Sequence, residues 1–412
     1  MRTRSTEVVA WLQQFSEADR ATARKLVDCI HYISADEFRS GILALIRDMA
    51  AKTDGPLALY VERRVPGRHG VPFPLYKWSP GRVRRAEGVA LRPADPERND
   101  EPDIGSEGII AQFVSMLQRQ NRDKFRVHPS MQDLRQRRPR TFVLVTDFIG
   151  SGDQVTRFLD SAWKVPTITS WASYGIFSFE VVAYSGTDAG IEAVRKHPSK
   201  PKVTIVMGCP TIGLLPNPSR DQLIGLCEDY CPSPPTDRMT SLGYGDTGAL
   251  IAFAHGTPNN VPLLLFRETR RWKSLFKART IEVGPEAEKE NEGLEDARLS
   301  LLREEQLKSV SGLRKLSPVA RQTVLVLAAL KRRPRNEASA SARTGLTMAE
   351  VRLAIRRAKR AGLLTDKLRP TEEAYAEFKY LRKSKPKEIV ISADNDSFYF
   401  PSMLRPPKSL FR

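Results

Sequence analysis

Apolar positions along the chain change their spacing from helical to continuous and back again. Near the start, Val8, Val9, Trp11, Leu12 and Phe15 form one stripe, and Ser16 offers an N-cap. Ala23, Leu26, Val27, Ile30 and Ile33 continue at 3.6-residue spacing, and Phe38, Ile42, Leu45 and Ile46 form a third stripe that ends before Thr53-Asp54-Gly55. A helical region over residues 1–55 is therefore predicted. Leu57 to Val65 then reads as a strand. Phe142 to Val145, Ile176 to Tyr184 and Val203 to Met207 read as buried strands, apolar without alternation, as happens when both faces of a sheet are covered. Helical spacing falls between them at Ile109–Leu117, at Gln154, Val155, Phe158 and Leu159, and at Ala189–Arg195. This alternation predicts an α/β domain over 56–283 with a mainly parallel sheet, whose ligands lie beyond the carboxyl ends of the strands. The Pro/Gly/Arg-rich segment up to Arg98 reads as irregular or hairpin structure, with Asp103 or Ser106 as the cap of the helix that follows. Further on, a short helix near Asp221–Tyr230 precedes strands at Ala249–Ala254 and Val261–Phe266, joined by a turn over His255–Asn260.

The C-terminal third has a different pattern. Gly284–Lys308 is charged and reads as part of a linker over 284–312. Ser317-Pro318 is an N-cap followed by proline at the first helical position, with Ala320, Val324, Leu327 and Leu330 on one face. A short helix, Glu337–Arg343, turns at Thr344-Gly345-Leu346. Thr347-Met348-Ala349-Glu350 is a capping box opening a helix with Val351, Ala354, Ile355 and Ala358 inward. Gly362 to Arg369 can form a wing, and Thr371–Leu381 a last helix. Three helices and a wing over 313–383 resemble a winged helix-turn-helix. The tail, 384–412, has a short strand at Ile389–Ile391 and carries Phe398-Tyr399-Phe400, so it is expected to dock onto the body or a partner.

Charge separates the two halves further. The chain has 412 residues and a net charge of +18. Eighteen Lys/Arg against six Asp/Glu fall between Ser311 and Lys383, so twelve of those eighteen charges sit in the winged helix. A polyanionic partner is implied, DNA or an RNA–DNA hybrid among the candidates. Arg352, Arg356 and Lys359 share the face that would meet a major groove, with Arg360 beside them. Arg357, Lys367 and Arg369 could neutralise flanking phosphates. The other reading is a winged helix used for protein contact, with a solvated basic face. The four cysteines, Cys29, Cys209, Cys227 and Cys231, fall into no zinc pattern and are too few for a disulfide framework, so a reducing, cytoplasmic setting is expected. No apolar run is long enough to span a bilayer, so no membrane partner is expected.

The stretch with most chemistry is Thr141–Gln154, T-F-V-L-V-T-D-F-I-G-S-G-D-Q, where a buried strand gives way to a glycine loop and then a helix. Successive amides at such a loop, with a helix N-terminus behind, suit a phosphate. An ordinary strand-to-helix turn carrying glycines is the alternative. No Gly-Lys-Ser/Thr follows, which excludes a P-loop. Elsewhere Cys209 and His255 are candidates for a nucleophile and an acid or base, although a packing cysteine and a turn histidine account for them more simply.

This stretch resembles the phosphoribosyl-pyrophosphate (PRPP) signature of type I phosphoribosyltransferases, with Thr146 where a first acid is usual, Asp147 as the second, and Ser151-Gly152 as the Thr/Ser-Gly pair. Gln154 replaces the usual closing threonine. The resemblance implies that Ile149, Gly150, Ser151, Gly152, Asp153 and Gln154 hold phosphate. It implies that Asp147 holds the ribose hydroxyls as the candidate catalytic residue, and that Mg²⁺ arrives with the pyrophosphate rather than in a protein cage. W-L-x-Q-F, G-S-E-G-I-I, S-W-x-S-Y, G-Y-G-D-T-G, H-G-T-P-N-N and R-W-x-x-L-F, in that order over residues 7–279, resemble the phosphoribosyltransferase-like effectors of bacterial conflict systems, including retron-associated ones. That likeness implies an anti-phage setting, a nucleotide or PRPP ligand, and a reverse transcriptase or other defence protein as partner. A nucleotide-sensing regulator without enzymatic activity is the second reading.

Overall fold

Strand Thr141–Ile149 lies at the centre of the molecule: its first six residues are buried, four of them apolar and the two threonines with hydrogen-bond partners for their hydroxyls. The computed structural model describes residues 6–79, 85–91, 106–276 and 316–383. Five main strands, β1 (Leu57–Val61), β2 (Phe125–Val127), β3 (Thr141–Ile149), β4 (Ser178–Gly186) and β5 (Lys202–Gly208), form one sheet in which every pairing is parallel. Their order across the sheet is β5-β4-β3-β1-β2, so the winding reverses between β1 and β3. A crevice opens beyond the carboxyl ends of strands at such a reversal.

Successive side chains of a strand point to opposite faces. Leu57, Leu59, Val61, Val143, Val145, Val182 and Tyr184 accordingly join one core, under helices Ala35–Lys52 and Ser106–Gln120. Ala58, Tyr60, Phe142, Leu144, Val181 and Ala183 join the other, under Met131–Arg137, Asp153–Trp163 and Asp188–Arg195. Each fully buried large apolar side chain contributes about 1.5–3 kcal/mol. Because both faces need such side chains, the strands show no alternation. The α/β class, the parallel sheet and the N-terminal helices agree with the sequence reading.

Some elements differ from it. The second N-terminal helix ends at Cys29, and His31–Ile33 forms a short parallel strand with Ile251–Phe253. Ile33 fits a helical period by number but takes its partner from the distant end of the domain. Val261–Phe266 is not a strand: Pro262 caps a short helix, Leu263–Phe266. Proline has no N–H to give a ladder, and burial of Leu263, Leu264 and Leu265 holds the turn of helix instead. The central strand runs on to Ile149, so Asp147 belongs to the strand and not to the loop. In the irregular segment 67–68 pairs with 71–72 and 77–78 with 86–87, both antiparallel. The linker, the Asp103 cap and the tail lie outside the described residues.

The winged helix follows its sequence closely. Ser317 caps Pro318–Leu330 through the Ala320 amide, and Thr347 and Glu350 form a reciprocal capping box on Met348–Arg360. Each such cap stabilises its helix by about 1 kcal/mol. Glu337–Thr344 lies between them and ends at Gly345, which takes the left-handed conformation that terminates a helix. Leu364 bridges Pro370 to close a short wing, and Glu372–Lys383 follows.

This unit sits against the edge of the sheet. Helix Glu337–Thr344 has an unbroken Ala/Ser run from Ala338 to Ala342, so its backbone approaches the end of β5 closely. The Gly208 amide donates to Ser341 Oγ at 2.9 Å, and Ser339 Oγ donates to Asp188 Oδ2 at 2.9 Å. Met348 joins the core on the Phe142 side of the sheet.

Candidate functional site

Two carboxyl groups meet at the point where the winding reverses. Glu62 directly follows β1 and Asp147 lies near the end of β3. Thr146 Oγ1 is 3.4 Å from Glu62 Oε2 and 3.3 Å from Asp147 Oδ1, so it bridges them. His255 Nε2 is 3.4 Å from Asp147 Oδ2. The histidine ring is nearly parallel to Phe253, with centroids 5.1 Å apart, and also lies against Phe38, which fixes its orientation.

The environment drives the two carboxyls apart. For Glu62, burial is the main cause, and the neighbouring Asp147 charge adds to it, pushing the carboxyl up to about 8 against hydrogen bonds from Gln154 and Thr146. Glu62 Oε1 is shielded from solvent and has no hydrogen-bond partner among the described residues. Burial also pushes Asp147 up, but the hydrogen bond and charge of His255, the Ser106 hydroxyl and the Phe148 amide outweigh it. Asp147 therefore stays below the ordinary aspartate range. The result is one protonated and one ionised carboxyl side by side near neutral pH, the arrangement that divides acid from base roles in a site.

The glycine loop lies next to this pair. Gly152, with a φ of 85°, is the N-cap of helix Asp153–Trp163, and Ser151 Oγ accepts from the Asp153 amide. No described residue accepts from the amides of Ser151 and Gly152. The glycines are also required by packing. A Cβ on Gly150 would come within 2.1 Å of Asn260 Oδ1, and one on Gly190 within 2.1 Å of the Gly150 carbonyl oxygen. Thr187 Oγ1 donates to that same carbonyl at 2.6 Å. Above the loop, Asn260 Nδ2 donates to the Tyr244 carbonyl and to Thr247 Oγ1, and Tyr244 Oη donates to Asp153 Oδ2. The G-Y-G-D-T-G and H-G-T-P-N-N motifs thus close over the loop.

The structure groups Asp147, Ile149, Gly150, Ser151, Gly152 and Asp153 along one rim, but it turns Gln154 toward Glu62. Glu62 was missed by sequence reasoning, since a carboxylate after an apolar run followed by Arg63-Arg64 looks like the end of a strand, and Ser106, read as a cap, is the first residue of its helix. His255, read from the sequence as a turn histidine, lies beside Asp147. Cys209 is buried, which raises its thiol far above the reactive range, so it is a packing residue. The oxygen donors of Glu62, Asp147, Thr146 and Ser106 suit ribose hydroxyls or a partly hydrated Mg²⁺. Among the described residues, no cluster of three His, Cys, Asp or Glu forms a closed metal cage.

On the winged helix, Arg352, Arg356 and Arg360 are exposed on one face of Met348–Arg360. Arg352 Nε pairs with Glu337 Oε2 at 2.8 Å and Lys359 Nζ with Asp366 Oδ1 at 3.0 Å.

A parallel α/β sheet with its acidic crevice at the switch point and a glycine loop before a helix, joined to a winged helix-turn-helix, defines a phosphoribosyltransferase-like protein with an appended winged helix. Residues 8–278 match the PRTase-CE family model and residues 324–406 match wHTH-PRTase associated. The chain belongs to the PRTase-CE family. No curated protein and no solved structure matches it. No helix among the described residues is long and apolar enough to cross a membrane.

Proposed function

We propose that the chain binds PRPP or a related nucleotide in the crevice between β1 and β3 and nucleic acid through its winged helix, as an effector or accessory protein of an anti-phage defence system. One observation carries the ligand half: Glu62 and Asp147 flank the reversal point of the sheet beside the glycine loop. Ribose hydroxyls would donate to ionised Asp147, which His255 and Ser106 hold in place. Phosphate would take the Ser151 and Gly152 amides and the helix N-terminus behind them. Mg²⁺ would arrive with the pyrophosphate and neutralise it, the protein offering oxygen ligands on one side only. Positive charge developing at the anomeric carbon would be stabilised by these same oxygens. The basic winged helix and the motif likeness to conflict-system effectors support the defence setting, with a reverse transcriptase or another protein of the system as partner.

A second reading, a sensor that binds without turnover, is favoured by Thr146 standing where an acid is usual. Incubation with PRPP and Mg²⁺ separates the two. Thermal stabilisation with pyrophosphate release identifies an enzyme, and stabilisation alone a sensor. Asp147→Asn should weaken binding by at least about tenfold, the equivalent of one lost charge-assisted hydrogen bond. No stabilisation of the wild type at millimolar PRPP would remove the ligand proposal.

A further inference from the structure

The winged helix has a second basic surface, beside the face where a helix-turn-helix reads bases: Asp366 of the wing pairs with Lys359 of the third helix. The turn after helix Pro318–Leu330 and the wing border a shallow cleft of about 540 Å³, open to solvent and lined by Arg333, Pro334, Arg335, Lys367 and Arg369. It has four cations and no carboxylate.

The cleft is preformed. Arg343 donates to the carbonyls of Ala329, Arg332, Arg333 and Pro334, and Arg335 to those of Leu330 and Lys331, which fixes the turn from beneath. Burial chiefly lowers the Arg343 guanidinium to about 10; the charges of Arg332 and Arg335 add to this and that of Asp188 opposes it. Arg333, Lys367 and Arg369 are exposed and make no ion pair among the described residues. On the third helix Glu337 and Asp366 already occupy Arg352 and Lys359, which leaves Arg356 and Arg360 exposed there. Its N-terminal turn, where base reading begins in this fold, is anchored by Met348 in a core of the sheet.

We propose that the sugar-phosphate backbone of a nucleic acid lies in the cleft of Arg333, Arg335, Lys367 and Arg369, and that this chain holds nucleic acid there by charge, independently of sequence, rather than by base contacts from its third helix. The cleft offers guanidinium and ammonium groups and a proline, which neutralise phosphate but do not distinguish base edges. The proposal rests on the nucleic-acid reading made above and locates it.

The test uses the full chain and two duplexes of unrelated sequence. Wild type should bind both with affinities within about threefold. The triple variant Arg333→Gln, Lys367→Gln, Arg369→Gln should bind at least about tenfold more weakly, with the slope of log affinity against log salt reduced by about two to three. Arg335 is left intact because it holds the end of a helix, and an unchanged melting temperature confirms that the triple variant is folded. Arg356→Ala with Arg360→Ala should change affinity by less than about threefold. If that pair loses as much as the triple variant, or if the triple variant keeps its affinity and slope, the cleft is not the site although the nucleic-acid reading survives. If wild type binds neither duplex, both fall. Tight binding of inorganic tripolyphosphate that the triple variant loses, without any duplex binding, would mark a small-anion site and overturn the proposal.

Discussion

At pH 8 the Glu62→Gln protein unfolds at a temperature several degrees above wild type, whereas near pH 4 the two coincide. The cause is the carboxyl that folding lifts from an ordinary 4.5 to about 8 by burial and by the charge of Asp147. Between those values the unfolded chain releases a proton that the folded chain keeps, so stability falls as pH rises. The contribution of Glu62 is fully present below about pH 4.5 and is lost as pH passes through about 8. The displacement corresponds to a few kcal/mol, on the order of 3–5. Glutamine retains the shape and the hydrogen-bonding capacity toward Thr146 and Gln154 but cannot ionise. The measurement is the difference between the two melting curves across pH 4–9, which cancels the other titrating groups. Parallel curves would mean that Glu62 titrates normally and that the paired-carboxyl site is wrong.

Gly208→Val should separate the winged helix from the sheet. A Cβ at this position would stand 2.1 Å from the Ala338 carbonyl oxygen and 3.1 Å from the Ala342 amide, both backbone atoms of Glu337–Thr344. Backbone cannot rotate away as a side chain would, so the helix must shift, at a cost of about 1–3 kcal/mol for forced overpacking. Hydrogen exchange over 337–348 should accelerate while that of β3 and β4 stays unchanged. Ser341→Ala provides the comparison: without adding bulk it removes the bond from the Gly208 amide and the one Ser341 Oγ donates to the Leu346 carbonyl, and should cost about 1–3 kcal/mol. Equal exchange over 337–348 in wild type and Gly208→Val would show that this contact does not hold the domains together. The docked helix shares Asp188 with the element that begins at Thr187, and Thr187 in turn holds the Gly150 carbonyl of the glycine loop.

How much of this was legible depended on distance along the chain. Residues 318–360 were read nearly to the residue, because N-caps, a capping box and a 3.6 period are local signals. The buried strands were legible because unbroken apolar runs have few other uses. Ile33 and Val261–Phe266 were misread because a remote strand partner and a proline outweighed their local pattern. His255 was placed in a turn correctly, yet its relation to Asp147, 108 residues earlier, is not a local property.

By itself the sequence determined the α/β class, the parallel sheet, the glycine loop after the central strand and the basic winged helix. All of these follow from spacing, burial tendency and charge within short windows. Only the tertiary structure decided that Glu62 supplies, from the neighbouring strand, a second carboxyl beside Asp147 where Thr146 had suggested a loss. The reason is the sheet order: β1 and β3 are far apart in the chain but adjacent in space. The same order places the end of β5 under the winged helix, where the Gly208 amide meets Ser341.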